Sequence, residues 1–139
     1  MADDRNTGSI LAVAASALHA QQARMRIIAE NLANSDSTAK TPDGDPYRRQ
    51  APVFQPTKVE GGAQGVKMVR VVADQTPFRM EYQPGHPAAN KTGYVKLPNV
   101  DPLVEALDMR EAQRAYQANL SVIENANSMQ SSLLDILKK

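Results

Sequence analysis

The sequence predicts an α+β fold, with long N- and C-terminal helices packed as a coiled-coil-like pair and a small β-rich, loop-rich insert between them. Three observations predict it. Apolar residues recur at helical spacing from Ile10 to Leu32 and again from Val104 to Leu137. Eight of the nine prolines fall between 35 and 100, so turns crowd the middle of the chain. Within that middle, short runs rich in β-branched and aromatic residues sit between proline and glycine clusters. The organisation reads as a flexible N-terminus at 1–9, helices at 10–34 and 101–139, and the insert at 35–100.

The first helix is expected to open on an N-cap at Ser9, with Asn6 or Thr7 as alternatives, after a polar, frayed segment. Leu11, Leu18, Met25 and Leu32 recur every seventh residue, with Ala14 and Ile28 on the neighbouring row and Gln21 between them. Such a seam suits close helix packing, because alanine adds little bulk. The helix should stop near Asn34, where Ser-Asp-Ser-Thr precedes Pro42 and Gly44. Its length would be roughly 35–40 Å. The apolar stretch 10–18 also invites a signal-peptide reading. Asp3 and Asp4 offset Arg5, however, and the helical pattern continues past that stretch, so no cleavage is expected.

In the insert, Pro42 to Pro46 reads as a turn and Lys58 to Gly65, with three glycines, as a mobile loop. Val66–Ala73 reads as a strand. Phe78, Met80 and Tyr82 alternate with Arg79 and Glu81, the pattern of a half-buried strand, and Tyr94–Leu97 reads as another. Val69, Val71, Phe78, Met80, Val95 and Leu97 are the expected core. The second helix has a sharp start, with Asp101 as N-cap and Pro102 at the first helical position. Its apolar row includes Leu107, Ala112, Tyr116, Leu120, Ile123, Ala126 and Leu134. Asn119, Asn125, Asn127 and Gln130 are polar residues that either fix a register or face water. Isolated amphipathic helices are marginal in water, so both ends are expected to gain order from neighbours.

Composition excludes several functions. The net charge of +1, from 16 basic and 15 acidic residues, suits neither a nucleic-acid coat nor a polybasic membrane binder. With no cysteine there is no disulfide and no thiolate metal site. No segment reaches the ~20 apolar residues of a membrane-spanning helix. His19 lies on the first helix, and His86 sits in the Pro84-Gly-His-Pro87 turn with only Thr92 and Tyr82 as local partners for catalysis. Asp43 and Asp45 flank Gly44 without the remaining carboxylates of a calcium loop. Gly61, Gly62 and Gly65 lack the lysine and helix of a phosphate loop. No catalytic, metal or cofactor residue is expected, and an enzyme is not the reading. Tyr47-Arg48-Arg49 has too few cations for a polyanion site and reads as a protein contact.

Several ordered motifs carry a resemblance: Met25-Arg-Ile-Ile-Ala-Glu-Asn-Leu-Ala-Asn34, Pro46-Tyr-Arg-Arg49, Tyr82-Gln-Pro-Gly-His-Pro87, Gly93-Tyr-Val-Lys-Leu-Pro-Asn-Val100 and Arg114-Ala-Tyr-Gln-Ala-Asn119. Together they resemble the bacterial flagellar basal-body rod proteins, and are most similar to the C-type proximal member. Ser35-Asp-Ser-Thr38, Gln83 and Arg110-Glu111 depart from the usual pattern. The resemblance implies a subunit that stacks helically with other copies around a central channel, in a rod that spans the periplasm and transmits motor torque to the hook and filament. It implies export by the flagellar type III apparatus without a cleaved signal peptide. It implies an axial domain built from the terminal helices, with the insert facing outward. Other rod proteins, further proximal rod subunits and the hook-basal-body adaptor protein are the implied partners, with neither nucleic acid nor a small-molecule substrate. Asn31, Leu32 and Asn34 match the family's first-helix motif; Arg114, Tyr116 and Asn119 match its C-terminal one. The expected assembly interface is therefore Leu11, Leu18, Met25, Ile28, Asn31, Leu32 and Asn34, then Tyr47 and Arg48, then Arg114, Tyr116, Asn119, Leu120, Ile123 and Leu134. The competing reading is a soluble coiled-coil adaptor or secretion chaperone whose helices hold a transient client.

Overall fold

The computed structural model describes residues 2–138, with side chains from Thr7 onward. Helix α1 runs Ala2–Ala33 and helix α2 runs Pro102–Leu137. Between them lie strands β1 (Gln50–Lys58), β2 (Gln64–Ala73), β3 (Arg79–Tyr82) and β4 (Tyr94–Leu97). The α+β class and the two terminal helices flanking a small β insert are therefore observed. No helix among the described residues is long and apolar enough to cross a membrane.

Helix α1 begins at Ala2 rather than after a cap at Ser9. Polar residues do not break a helix once it is nucleated, no proline interrupts 2–9, and the helix runs through Gly8 at the modest cost of one glycine. Its end is close to expectation. The Asn34 and Ser35 amides bond back to Glu30 and Leu32 carbonyls, each at 3.2 Å, and Ser35 Oγ donates to the Leu32 carbonyl at 2.9 Å. Helix α2 opens as predicted: Asp101 Oδ1 accepts from the amides of Leu103 (2.9 Å) and Val104 (3.3 Å), and Pro102 takes the position where no N–H is needed.

The two strand pairs are separate two-stranded sheets, β1 with β2 and β3 with β4. In the antiparallel β3–β4 pair, Arg79 faces Leu97 and Tyr82 faces Tyr94. Strand β1 has no counterpart in the sequence reading, because Pro52 and Pro56 argue against a strand. Backbone parity explains how it forms. The Arg49 carbonyl accepts from the Asp74 amide at 2.8 Å and the Val59 amide donates to the Ala63 carbonyl at 2.9 Å, while the Gln50 amide turns away to Asn31. Even-numbered residues of β1 thus point their amides away from β2, and both prolines are even-numbered. The expected loop at 58–65 shrinks to the turn 59–63, with Gly61 and Gly62 both at φ 78°.

The chain divides into two compact units. One comprises the chain through Arg24, Val53–Arg70 and the chain from Glu111 on; the other comprises Met25–Pro52 and Val71–Arg110. In the first unit, Ser16 Oγ donates to the Val13 carbonyl at 2.7 Å and accepts from the Val66 amide at 3.1 Å, which ties β2 to α1. Arg24 pairs with Glu111 at 3.6 Å. In the second unit Ile27, Ile28, Val95, Pro98 and Val100 are buried. Of the expected insert core, Val95 is buried, Phe78 and Leu97 are half-buried, and Val69, Val71 and Met80 are exposed. A two-stranded ribbon is too narrow to cover both of its faces, so only one row of side chains turns inward.

Candidate functional site

Both helices are covered along rows that overlap in part with the ones the sequence suggested: Ala14 and Ile28 on α1 and Ala112, Tyr116, Ile123 and Ala126 on α2 are covered. On α1 the buried residues are Ala14, Ala20, Ile27, Ile28 and Asn31, while Leu11, Leu18, Met25 and Leu32 are half-buried. On α2 only Glu105 and Ala112 are buried, and they begin a row that continues through half-buried Tyr116, Asn119, Ile123 and Ala126. Glu105 stands seven residues before Ala112, and from Ala112 on the steps alternate four and three, the spacing of one helix face. Many of the larger aliphatic side chains are exposed: Leu103, Val104, Leu107, Leu120, Met129, Leu133, Leu134, Ile136 and Leu137, the last five within a stretch, 127–138, that is exposed on every face. Among the expected interface residues, Leu120 (38% exposed), Leu134 (53%) and Arg114 therefore face outward; Tyr116, Asn119, Ile123 and Asn34 are partly covered.

Four other expected interface residues act within the subunit. Ile28 is in the core and Asn31 is 1% exposed. The Asn31 amide nitrogen donates to the Gln50 carbonyl (2.9 Å) and to Glu105 Oε2 (3.1 Å). Its oxygen accepts from the Tyr47 hydroxyl (2.8 Å) and the Gln50 amide (2.9 Å). All four hydrogen-bonding positions of the side chain are used. Tyr47, expected to meet a partner protein, thus spends its hydroxyl on Asn31. Burial, then the nearby Glu30 and Glu105 carboxylates, push its pKa above the ordinary 10.0. Arg48 is also committed inside. Its Nη1 donates to the carbonyls of Asp74 (3.0 Å) and Thr76 (3.1 Å), and its guanidinium lies 4.1 Å from the Phe78 ring centre.

Glu105, Arg49, Asn99 and Asp74 complete this cluster and were not singled out from the sequence. Glu105 is fully buried, and its Oε1 accepts from Arg49 Nε. The Arg49 guanidinium also approaches Asp74 (3.6 Å) and Asp108 (3.8 Å). Asn99 accepts from the Arg49 amide at 2.8 Å and donates to Asp74 and Thr76. Asp74 Oδ1 accepts from the Thr76 amide at 2.9 Å; these bonds to Thr76 hold its carboxyl below the ordinary 3.8. One signal in the sequence could have exposed Glu105: it stands seven residues before Ala112 on the row that turns inward. A glutamate on a helix usually marks a solvated face, which hides that signal.

Nothing in this cluster resembles a reacting centre. Its polar atoms are taken up by one another, and no nucleophile lies beside a base. His86 Nδ1 accepts from the Ala88 amide at 3.0 Å and so braces its turn. Asp45 pairs with Lys96 at 3.2 Å. His19 is exposed on α1. Among the described residues no group of three or more His, Asp or Glu side chains is placed to hold a metal ion.

Comparison with known proteins agrees with the motif series. The family model described as flagella basal body rod protein matches residues 11–39, and the one described as flagellar basal body rod FlgEFG protein C-terminal matches residues 91–136. The flagellar basal-body rod protein FlgC of Agrobacterium fabrum is 45% identical over 127 residues, which cover 91% of each chain. The protein of the same description from Salmonella typhimurium is 43% identical over 92% of this chain and 96% of its own. That from Bacillus subtilis is 38% identical, again over 92% of this chain and 96% of its own.

Proposed function

This chain belongs to the flagellar basal-body rod family, and on that premise we propose that neighbouring subunits cover the exposed apolar side of its long helices in a helical proximal rod. It is a structural subunit of the rod, located in the basal body, and not an enzyme. It assembles with other rod proteins. The adaptor or secretion-chaperone reading is not favoured by these relatives.

One observation supports the finer reading. Helix α2 leaves Leu103, Leu107, Leu120, Leu133, Leu134 and Leu137 exposed. Aliphatic surface on this scale along one helix marks a protein contact. Coiled-coil packing of the terminal helices would then form between subunits, with α1 and α2 lining the axial side and the insert outside. The proposed interface is Leu11, Leu18, Met25, Leu32, Asn34, Arg114, Tyr116, Asn119, Leu120, Ile123 and Leu134. Further rod subunits and the hook-basal-body adaptor would be its neighbours, with the export apparatus met in transit to the periplasm. The assembled helices would carry torque because burial fixes what a lone helix cannot.

Leu120→Asp tests this. A carboxylate placed in a closed apolar seam lacks a partner. Purified basal bodies should contain the wild-type chain and none of the variant, and the cells should lack hooks. Normal incorporation of the variant would sink the proposed interface.

A further inference from the structure

We propose that Asn31 and Glu105 form a polarity-keyed latch inside the subunit, which sets the register of the end of α1 on the start of α2 without any neighbour. The first asparagine of the Asn-Leu-Ala-Asn element thereby acts within its own chain.

The chemistry of the contact is one-sided. Both Glu105 carboxyl oxygens are acceptors here: one takes Arg49 Nε and the other Asn31 Nδ2. Asn31 must therefore present its amide nitrogen to Glu105, and its oxygen must face the Tyr47 hydroxyl and the Gln50 amide. A carboxamide at this position satisfies both demands, and no other side chain of its shape does. The residue is 1% exposed and Glu105 is 0% exposed, so water cannot repair a mismatch. Sliding either helix by one turn would move Asn31 about 5.4 Å away and leave a buried carboxylate short of a donor. A single buried polar contact that fixes register is an established device of helical pairs.

Charge makes the key strict. Three carboxylates, those of Glu105, Asp74 and Asp108, already surround the one Arg49 guanidinium. Arg48 is turned to backbone carbonyls at Asp74 and Thr76, and Glu30 adds its field at Tyr47. Asn31→Asp would bring another acid to a place with no spare cation. Asn31→Asp combined with Glu105→Gln would restore the match. The carboxylate at 31 would still accept from Tyr47 and Gln50, and the glutamine at 105 would donate to it while its oxygen faced Arg49. The Gln50 carbonyl would lose its donor, so the rescue would be incomplete.

Thermal melts of the free, monomeric full-length subunit test the latch, and they need no rod assembly. Asn31→Asp should lower Tm by about 8 °C or abolish the cooperative transition. The double variant should recover at least half of that loss, or regain a cooperative transition if the single variant has none. Asn119→Asp is the control, since among the described residues Asn119 donates to the Ala115 carbonyl of its own helix, at 2.8 Å; it should shift Tm by less than about 2 °C. An Asn31→Asp melt matching wild type would overturn the latch. So would a double variant no better than Asn31→Asp, or a control that loses as much. Because the readout is on the free subunit, failure here would leave the interface test on Leu120 unaffected.

Discussion

Asn31 shows what the residue scale adds: the same side chain can be recognised from its motif while the contacts it makes stay hidden. Its motif suggests a subunit interface, and within the subunit it is already buried with four hydrogen bonds. Motif and helical spacing are visible in a sequence; the direction of an amide is not. Tyr47 carries a pH consequence. Its folded pKa is raised above 10.0, so the stability it contributes is complete below pH 10.0 and is lost as pH rises through the folded value. Tyr47→Phe should lower stability near neutral pH by about 1 kcal/mol, since Asn31 loses one donor. It should also flatten the alkaline decline, measured as Tm against pH. For Asp74 the sign is reversed. Its folded pKa is depressed, so its contribution is present above pH 3.8 and lost as pH falls through the lower folded value. Asp74→Asn should weaken that acid dependence in the same measurement.

At the scale of elements, legibility followed the strength of local chemistry. The Asp101-Pro102 start of α2 was readable because capping and the missing proline N–H are local effects. Strands β3 and β4 were readable from alternation. Strand β1 was not, because proline within a run speaks against a strand, and only the pairing partner reveals that Pro52 and Pro56 point their nitrogens away from it. The docking of β2 on α1 gives a direct test. A Cβ on Gly65 would lie 2.4 Å from Ser16 Oγ and 2.6 Å from Val59 Cγ1. Gly65→Ala should therefore cost about 1–3 kcal/mol, seen as a lower midpoint in urea, because overpacking forces the hairpin off the helix. Gln21 offers the opposite sign. Its Oε1 is buried with no hydrogen-bond partner among the described residues. Gln21→Met should raise the midpoint, by about 1 kcal/mol, by removing the unsatisfied oxygen while keeping the volume.

For the whole molecule, the distinction is between surface the subunit covers for itself and surface it leaves for others. Leu134 is 53% exposed, so Leu134→Asp should leave the Tm of the free subunit within about 2 °C of wild type. The same variant should be missing from purified basal bodies, where the helix face is proposed to be closed. Equal incorporation of variant and wild type would remove Leu134 from the interface. Amphipathic termini, a proline-rich middle and the cap at Asp101 were determined by the sequence alone, because each follows from periodicity or from the chemistry of adjacent residues. Tertiary structure decided which side of each helix the chain itself covers. On α2 the row carrying Glu105 and Ala112 turns inward, and Arg49 and Asn31 supply what a buried carboxylate requires from 56 and 74 residues away along the chain. No local pattern encodes a pairing at that separation; only the folded chain brings those side chains together.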